Sequence, residues 1–334
     1  MYTQIGREPV REEWEMCPMK AKMSILVLLP VMCSMLASCG KQAAKAPSDS
    51  KQFTVGVTLL TEEHPFYRQL KSAFLEQCGR RNIRPTILSC NMDLPTQTTQ
   101  IETFITQGVD AIVVCPADSA GIAGAIRKAN DANIPVFTAD IAAQGGKVVS
   151  HIASDNVQGG RLAGEYMAKL LESRDRKKLF SVAIVNHPVV QSVQDRVRGF
   201  REAIGKYPNI KIVDDQAAQG QRDKAVDVTE NMLQRHKNLH GIFAINDSTA
   251  LGALAAIEQS GRNDIVLIGY DGDPEAREKI RAGTALKADV VQYPREIGRI
   301  TADAVADYLQ AKKVKPFIPV RVGIIDQASL KKER

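Results

Sequence analysis

Aromatic residues make up only 5% of this 334-residue sequence, with a single tryptophan. That scarcity argues against a stacking platform for single-stranded nucleic acid. Basic residues outnumber acidic ones by 44 to 38, a formal charge of +6, yet they form no long stripe. The runs "RDRKK" (174–178) and "KKER" (331–334) are short enough to be solvated helix ends or tails, so no nucleic-acid partner is expected. No G-x-G-x-x-G follows a strand pattern, and P-loop, nucleophile elbow and histidine pair are all missing. The six cysteines show no metal-ligand spacing. Neither a cofactor nor a metal is therefore expected.

Long apolar runs are also lacking, with one exception near the start. "MSILVLLPVMCSMLASCG" (23–40) follows Lys20 and Lys22, is broken by Pro30 and is too short to span a membrane comfortably. A basic segment, an apolar core and then small residues is the pattern of an export signal. Its end, Leu36-Ala37-Ser38-Cys39, resembles the lipobox of bacterial lipoproteins. The resemblance implies cleavage before Cys39, whose thiol would carry diacylglycerol and hold the protein at a membrane while its body stays in water. Gly40, in place of an acidic residue, leans towards the outer membrane of the cell envelope. Residues 1–18 fit no signal pattern, and a start at Met19 or Met23 would leave them untranslated. Without the lipobox the same stretch reads as a secretory peptide with an incidental cysteine. The small, polar residues 41–51 read as a tether, so that 39–51 links anchor to body.

Beyond residue 51 short apolar strands alternate with amphipathic helices. "FTVGVTLL", "PTILSC", "DAIVVCP" and "IPVFTAD" read as strands between helical stretches, with Ser119 as an N-cap before "AGIAGAIRKANDAN". The rhythm restarts with "QGGRLAGEYMAKLLES" and "LFSVAIVN" and runs on through "DIVLIGYDG" and "PEAREKIRAG". Such alternation demands parallel sheets covered by helices on both faces. About ten strands exceed one comfortable sheet, so the expected fold is α/β with two doubly wound, Rossmann-like lobes. Cys90 and Cys115 each end an apparent strand, and the strand order implied by the family resemblance described below puts another strand between them, too far apart for a disulfide. Buried free thiols are expected for Cys78, Cys90 and Cys115.

Doubly wound sheets bind ligands beyond the carboxyl ends of their strands. The polar residues found there are Thr58, Asp140, Asn246, Asp271 and Gln292. Left dry and unpartnered, each would cost about 1–3 kcal/mol, which a hydroxyl-rich ligand would remove. Asn246 and Asp271 are read as ligand-facing, Asp247 and Ser248 as caps of the following helix.

Seven segments in order then carry a resemblance to periplasmic sugar-binding proteins of the ribose-binding type, the type I periplasmic binding protein family. They are "HPFY" (64–67), "NIPVFTAD" (133–140), "VVSHIASDNVQGG" (148–160), "DRVRGF" (195–200), "FAINDSTALGAL" (243–254), "IGYDG" (268–272) and "VVQYPREIG" (290–298). The resemblance implies flavodoxin-like strand order in both lobes, a three-crossing hinge and a ligand cleft between the lobes. The crossings fall near 154–156, 290–292 and 321–323. The lobes are then 52–154 plus 292–321 and 155–291 plus 322–334, following a signal region at 1–38.

It also implies roles: Phe66 packs on a sugar ring with Tyr67 beside it, and Asp140 accepts ring hydroxyls from the first lobe. Arg196 reaches the sugar from the second lobe, where Asn246 and Asp271 bind it, and Gln292 binds it at the hinge. Read without the family, Phe66 and Tyr67 can be core residues, Arg196 a surface helix residue and Gln292 a plain hinge residue. Three departures stand out. Ile141 replaces a second sugar-contacting arginine, Gly220 replaces a second ring-packing aromatic, and the longer loop "TEEHP" carries His64 where asparagine is usual. Losing a charged donor forfeits about 1.5–3 kcal/mol on ribose, so a different monosaccharide is expected, or one with a bulkier substituent near Ile141 and Gly220.

The functional expectation is a monomeric, lipid-anchored binding protein of the periplasm that captures a sugar by hinged closure and hands it to an ABC permease. A sensor that presents its closed form to a chemoreceptor or kinase shares all these residues. A LacI-type repressor would need a helix-turn-helix where the signal lies, and a glycosidase would need Asp140 and Asp271 as paired carboxylates.

Overall fold

The computed structural model describes residues 52–332. The first of two six-stranded sheets contains β1 (Phe53–Leu59), β2 (Ile83–Ser89), β3 (Ala111–Val114), β4 (Val136–Ala139), β5 (Val148–Ser154) and β11 (Phe317–Val320). The second contains β6 (Phe180–Asn186), β7 (Ile210–Ala217), β8 (Leu239–Ala244), β9 (Val266–Asp271), β10 (Leu286–Val291) and β12 (Gly323–Asp326). Their orders, β11-β5-β4-β3-β1-β2 and β12-β10-β9-β8-β6-β7, repeat one doubly wound plan. Every pairing is parallel except β12 on β10. The expected α/β architecture is the one adopted.

Position in the sheet explains the strand sequences. Central β3 ("AIVV") and β9 ("VLIGYD") are buried along their whole length, as strands covered on both faces must be. Outer β2 and β7 mix buried and exposed positions. Among the described residues twelve strands form instead of about ten. The additional pair, β11 and β12, are four-residue edge strands flanking Arg321–Val322, too short to stand out by periodicity.

The helices are α1 (Pro65–Arg80), α2 (Leu94–Thr106), α3 (Ala123–Asp131), α4 (Asn156–Glu172), α5 (Gln191–Ile204), α6 (Arg222–Arg235), α7 (Asp247–Gln259), α8 (Pro274–Arg281), α9 (Pro294–Leu309) and α10 (Gln327–Lys332). The chain passes between sheets three times: from β5 into α4, from β10 into α9, and from β11 to β12. Glycines in "QGGRLAG" and "RVRGF" let α4 and α5 touch backbone to backbone. A Cβ on Gly160 would meet the Arg196 carbonyl oxygen at 1.9 Å, and one on Gly199 the Val157 carbonyl oxygen at 2.0 Å. That contact fixes the helix that carries Arg196.

Ser119 is not the N-cap of α3. The helix begins at Ala123 behind Ile122 with no side-chain cap, and Asp118 Oδ1 instead accepts from the amides of Ala120 and Gly121. Ser119 serves the contact between lobes described below. Cys78, Cys90 and Cys115 are buried free thiols, as expected. Burial pushes the Cys78 thiol up to about 12 and raises Cys115 well above its ordinary value. No helix among the described residues is long and apolar enough to cross a membrane. The signal region and Cys39 lie outside the described residues.

Candidate functional site

At the carboxyl ends of both sheets lies a cavity lined by residues of both lobes. Ten of the eleven candidate ligand residues line it: His64, Phe66, Tyr67, Asp140, Ile141, Arg196, Gly220, Asn246, Asp271 and Gln292. Thr58 does not. It stands one residue short of the end of β1, fully buried, where its hydroxyl donates to Gln100 Oε1 at 2.6 Å and accepts from Gln97 Nε2 at 3.3 Å. Those bonds to α2 satisfy it, so its expected part in ligand binding does not hold.

The first-lobe wall is shaped by a tight turn. Asp140 has φ 65°, and the next amide, on Ile141, donates back to the Ala139 carbonyl at 2.7 Å. This is a γ-turn with Asp140 at its centre, a conformation seldom adopted by non-glycine residues. It breaks strand alternation and turns Asp140 and Ile141 to the same cavity. Tyr67 donates to Asp140 Oδ2 at 2.6 Å, while Asp140 Oδ1 is buried without a partner. Burial raises the Asp140 carboxyl to about 6, against the pull of Arg196 and the Tyr67 bond. Phe66 meets Tyr67 edge to face at 5.2 Å.

Arg196 dominates the second-lobe wall. Its Nε donates to Asn156 Oδ1 at 2.9 Å, its Nη1 to the Ile245 carbonyl at 2.7 Å, and its plane lies 3.9 Å from the centre of the Tyr270 ring. Nη1 is also 3.6 Å from Asp271 Oδ1. Tyr270 completes the group by donating to Asn156 at 3.3 Å. Asp271 sits at φ 128°, a second carboxylate held in backbone of the left-handed region. Its Oδ1 accepts from Gln292 Nε2 at 2.6 Å, leaving Gln292 Oε1 buried and unpartnered.

At the head of α7 the cap falls one residue earlier than expected. Asn246, expected to face ligand, is the N-cap: Oδ1 accepts from the Thr249 amide at 2.9 Å in a reciprocal capping box, and Nδ2 donates to the Gly220 carbonyl at 3.2 Å. It lines the cavity with little capacity to spare. Asp247, expected to cap the helix, is buried behind the cavity. It accepts from the Asp273 amide at 2.6 Å, while its Oδ1 and both Asp289 oxygens are buried without a partner. Asp247 Oδ1 and the Asp289 carboxyl carbon both flank Gly269, 3.3 and 3.4 Å from where its Cβ would be. Burial first, and each other's charge next, hold the Asp247 proton well above the ordinary carboxyl range.

The lobes touch across the cleft. Ser119 Oγ accepts from the Gln191 amide at 2.9 Å, and Gln144 reaches Gln191 and Gln194. His64, the N-cap of α1, accepts the Phe66 amide on Nδ1 at 3.3 Å, and its Nε2 lies 3.4 Å from Asp271 Oδ2. Both contacts span first- and second-lobe residues, so this is a closed arrangement.

Several lining or supporting residues were not anticipated. Asn156 and Tyr270 position Arg196 but sit inside segments read for other reasons. His187, displaced below its ordinary imidazole range chiefly by burial, lines the cavity just past β6. Applying the strand-end rule to that strand as well would have found it. Leu60, Met92, Val190, Val193 and Ile245 complete an apolar part of the wall that composition could not flag.

Residues 55–313 match the periplasmic binding protein domain. The ribose import binding protein of Bacillus subtilis is 35% identical over 303 residues, covering 89% of this chain and 96% of that protein. A galactofuranose-binding protein of known structure superposes with a TM-score of 0.78 at 25% identity, over 84% of this chain and 97% of that one. The arabinose-transporter binding protein of a Shewanella species, bound to L-arabinofuranose, gives 0.76 at 27% identity, over 84% and 94%. The chain belongs to the periplasmic binding protein family.

Proposed function

We propose that this chain captures a monosaccharide between its lobes and delivers it to an ABC importer. Family membership places its work outside the cytoplasm and among solute-binding proteins. The observation that carries the sugar reading is the pair of buried, unpartnered acceptors, Asp140 Oδ1 and Gln292 Oε1, in one cavity with the Arg196 guanidinium. Two such atoms left dry are each worth about 1–3 kcal/mol, which ligand hydroxyls would recover by donating to them. Arg196 in turn offers donors to ring or hydroxyl oxygens. Phe66 provides an apolar face for ring C–H groups.

In this reading the segments 52–154 plus 292–321 and 155–291 plus 322–334 move as two bodies about the three crossings. A ligand that touches Asp140 and Arg196 together binds the closed form better and shifts the population towards it. Asp140 and Asp271 act as hydroxyl acceptors, not as a catalytic pair, because Tyr67, Gln292 and Arg196 already engage them. The protein works as a monomer tethered through lipid on Cys39. Metabolic labelling with a radioactive fatty acid, lost in Cys39→Ala, tests the tether.

Thermal unfolding of the full chain in mild detergent against pentoses, hexoses, deoxysugars and polyols tests capture. A ligand present at a hundred times its Kd adds about 2.7 kcal/mol, so at least one carbohydrate should raise Tm by about 5 °C or more. A flat response across the panel would overturn the reading.

A further inference from the structure

We propose that the captured sugar carries an apolar edge, a deoxy or methyl carbon as in 2-deoxypentoses and 6-deoxyhexoses, and that Ile141 is the residue that selects it. The inference rests on the sugar reading above and sharpens it.

The γ-turn at Asp140 is the starting point. Strand alternation would send residues 140 and 141 to opposite faces, but the turn presents both to the cavity, carboxylate next to butyl group. Asp140 Oδ1 is a buried acceptor that demands a hydroxyl. Immediately beside it, Ile141 is 2% exposed and offers nothing to which a second hydroxyl could bond. A ligand hydroxyl pressed against that side chain would lose its water without gaining a partner.

The rest of the apolar wall extends this patch. Leu60, Val190, Val193 and Ile245 also line the cavity and are buried, with the hydroxyls of Thr61 and Ser192 set among them, so the selection rests on the contact with Ile141 itself. Other polar groups nearby are already engaged. Asn246 caps α7, Tyr67 donates to Asp140 and Gln292 donates to Asp271. Gly220, at φ 71°, has His187 Nδ1 and Asn246 Nδ2 only 3.3 and 3.4 Å from its Cβ position, so that corner of the cavity is narrow and polar, unlike the Ile141 side. The site therefore rewards hydroxyls on one edge of the ring and rejects them on another.

Matched pairs that differ by one hydroxyl read this directly: 2-deoxy-D-ribose against D-ribose, L-fucose against L-galactose, D-fucose against D-galactose, and L-rhamnose against L-mannose. Calorimetric titration of the full chain should find a pair in which the deoxy member binds about 10–100-fold more tightly. Ile141→Thr, close in size but bearing a hydroxyl, should shrink that ratio by about tenfold, and Ile141→Arg should abolish or reverse it. If parent sugars match or beat their deoxy partners in every pair, the apolar-edge inference is overturned while sugar capture stands. If the ratio is unchanged in Ile141→Thr, selection lies elsewhere and Ile141 loses the role. If no carbohydrate binds at all, both this inference and the capture reading fall together.

Discussion

The two walls of the cavity are built on opposite principles. On the second-lobe wall the polar groups are largely spent on each other: Arg196 is held by Asn156, the Ile245 carbonyl and the Tyr270 ring, and Asn246 by its own helix. On the first-lobe wall one of the two Asp140 oxygens is buried and unpartnered. One wall is a finished platform whose geometry precedes the ligand. The other holds an unmet demand that the ligand completes. Preorganisation on one side limits the ordering cost of binding, and the open valence on the other makes closure conditional on the right guest.

The largest expected effect breaks the platform. Arg196→Ala removes a buried guanidinium with three partners and leaves Asp271 without its nearest cation, so ligand binding should weaken by about 3–5 kcal/mol, or more than a hundredfold. Arg196→Lys keeps the charge but loses the fork and the stacking on Tyr270, and should recover little of it. Near-native affinity in the lysine variant, measured by titration calorimetry, would mean that the charge alone matters and that the platform is not preorganised.

Asp140→Asn sharpens the contrast from the other side. An amide retains one acceptor but cannot serve both Tyr67 and a ligand hydroxyl, so affinity should fall by about 1.5–3 kcal/mol. Stability of the unliganded protein should hold or rise at pH 7.5, because burial disfavours the charge on Asp140. A variant that binds poorly and also melts early would show that Asp140 is structural. A smaller effect is expected at the mouth of the cleft. Ser119→Ala and Gln144→Ala together remove contacts that exist only when the lobes meet, and should cost about 1 kcal/mol, mostly as faster ligand release in stopped-flow traces.

Legibility in the sequence divides along the same line. Buried runs such as "AIVV" and "VLIGYD" announce parallel strands because nothing but a double-covered sheet buries every residue. The strand-end carboxylates follow from that topology, and Asp140 and Asp271 reach the cavity as a strand-end reading requires. Spacing cannot tell which of two adjacent polar residues caps and which is buried. Asn246 took the capping role expected of Asp247 while still lining the cavity, because helix capping is decided by φ and by the Thr249 partner, not by order along the chain. Thr58 misled for a related reason: one residue short of the strand end, it bonds Gln97 and Gln100 of α2. The γ-turn that turns Ile141 inward breaks the very periodicity used to read strands.

The smallest effect probes what lies behind the finished wall. Asp247 and Asp289 are fully buried together beside Gly269, and burial first lifts Asp289 and Asp273 to about 7 and Asp247 well above the ordinary carboxyl range, so the pair is expected to hold a shared proton. These carboxyls keep protons in the folded state that the unfolded chain has released near its ordinary value of about 4. Their contribution to stability is therefore complete below pH 4 and drains away as pH rises through 7. His151, driven down to about 4 by burial, works in the opposite direction, but only below about pH 6.5, where the unfolded imidazole takes up its proton. Between pH 6.5 and 8 the acids act without that opposition, and unliganded Tm should fall. Asp289→Asn replaces the shared proton with an amide N–H that needs no titration. It should raise Tm at pH 8, leave it nearly unchanged at pH 5, and flatten the slope by at most about 1.4 kcal/mol per pH unit for each proton removed. No equivalent flattening is expected from first-lobe Thr58→Val, whose partners do not ionise. An unaltered slope in Asp289→Asn, followed by calorimetry across that range, would mean that the wall is not backed by a shared proton, and the contrast between the two lobes would then rest on Arg196 and its partners alone.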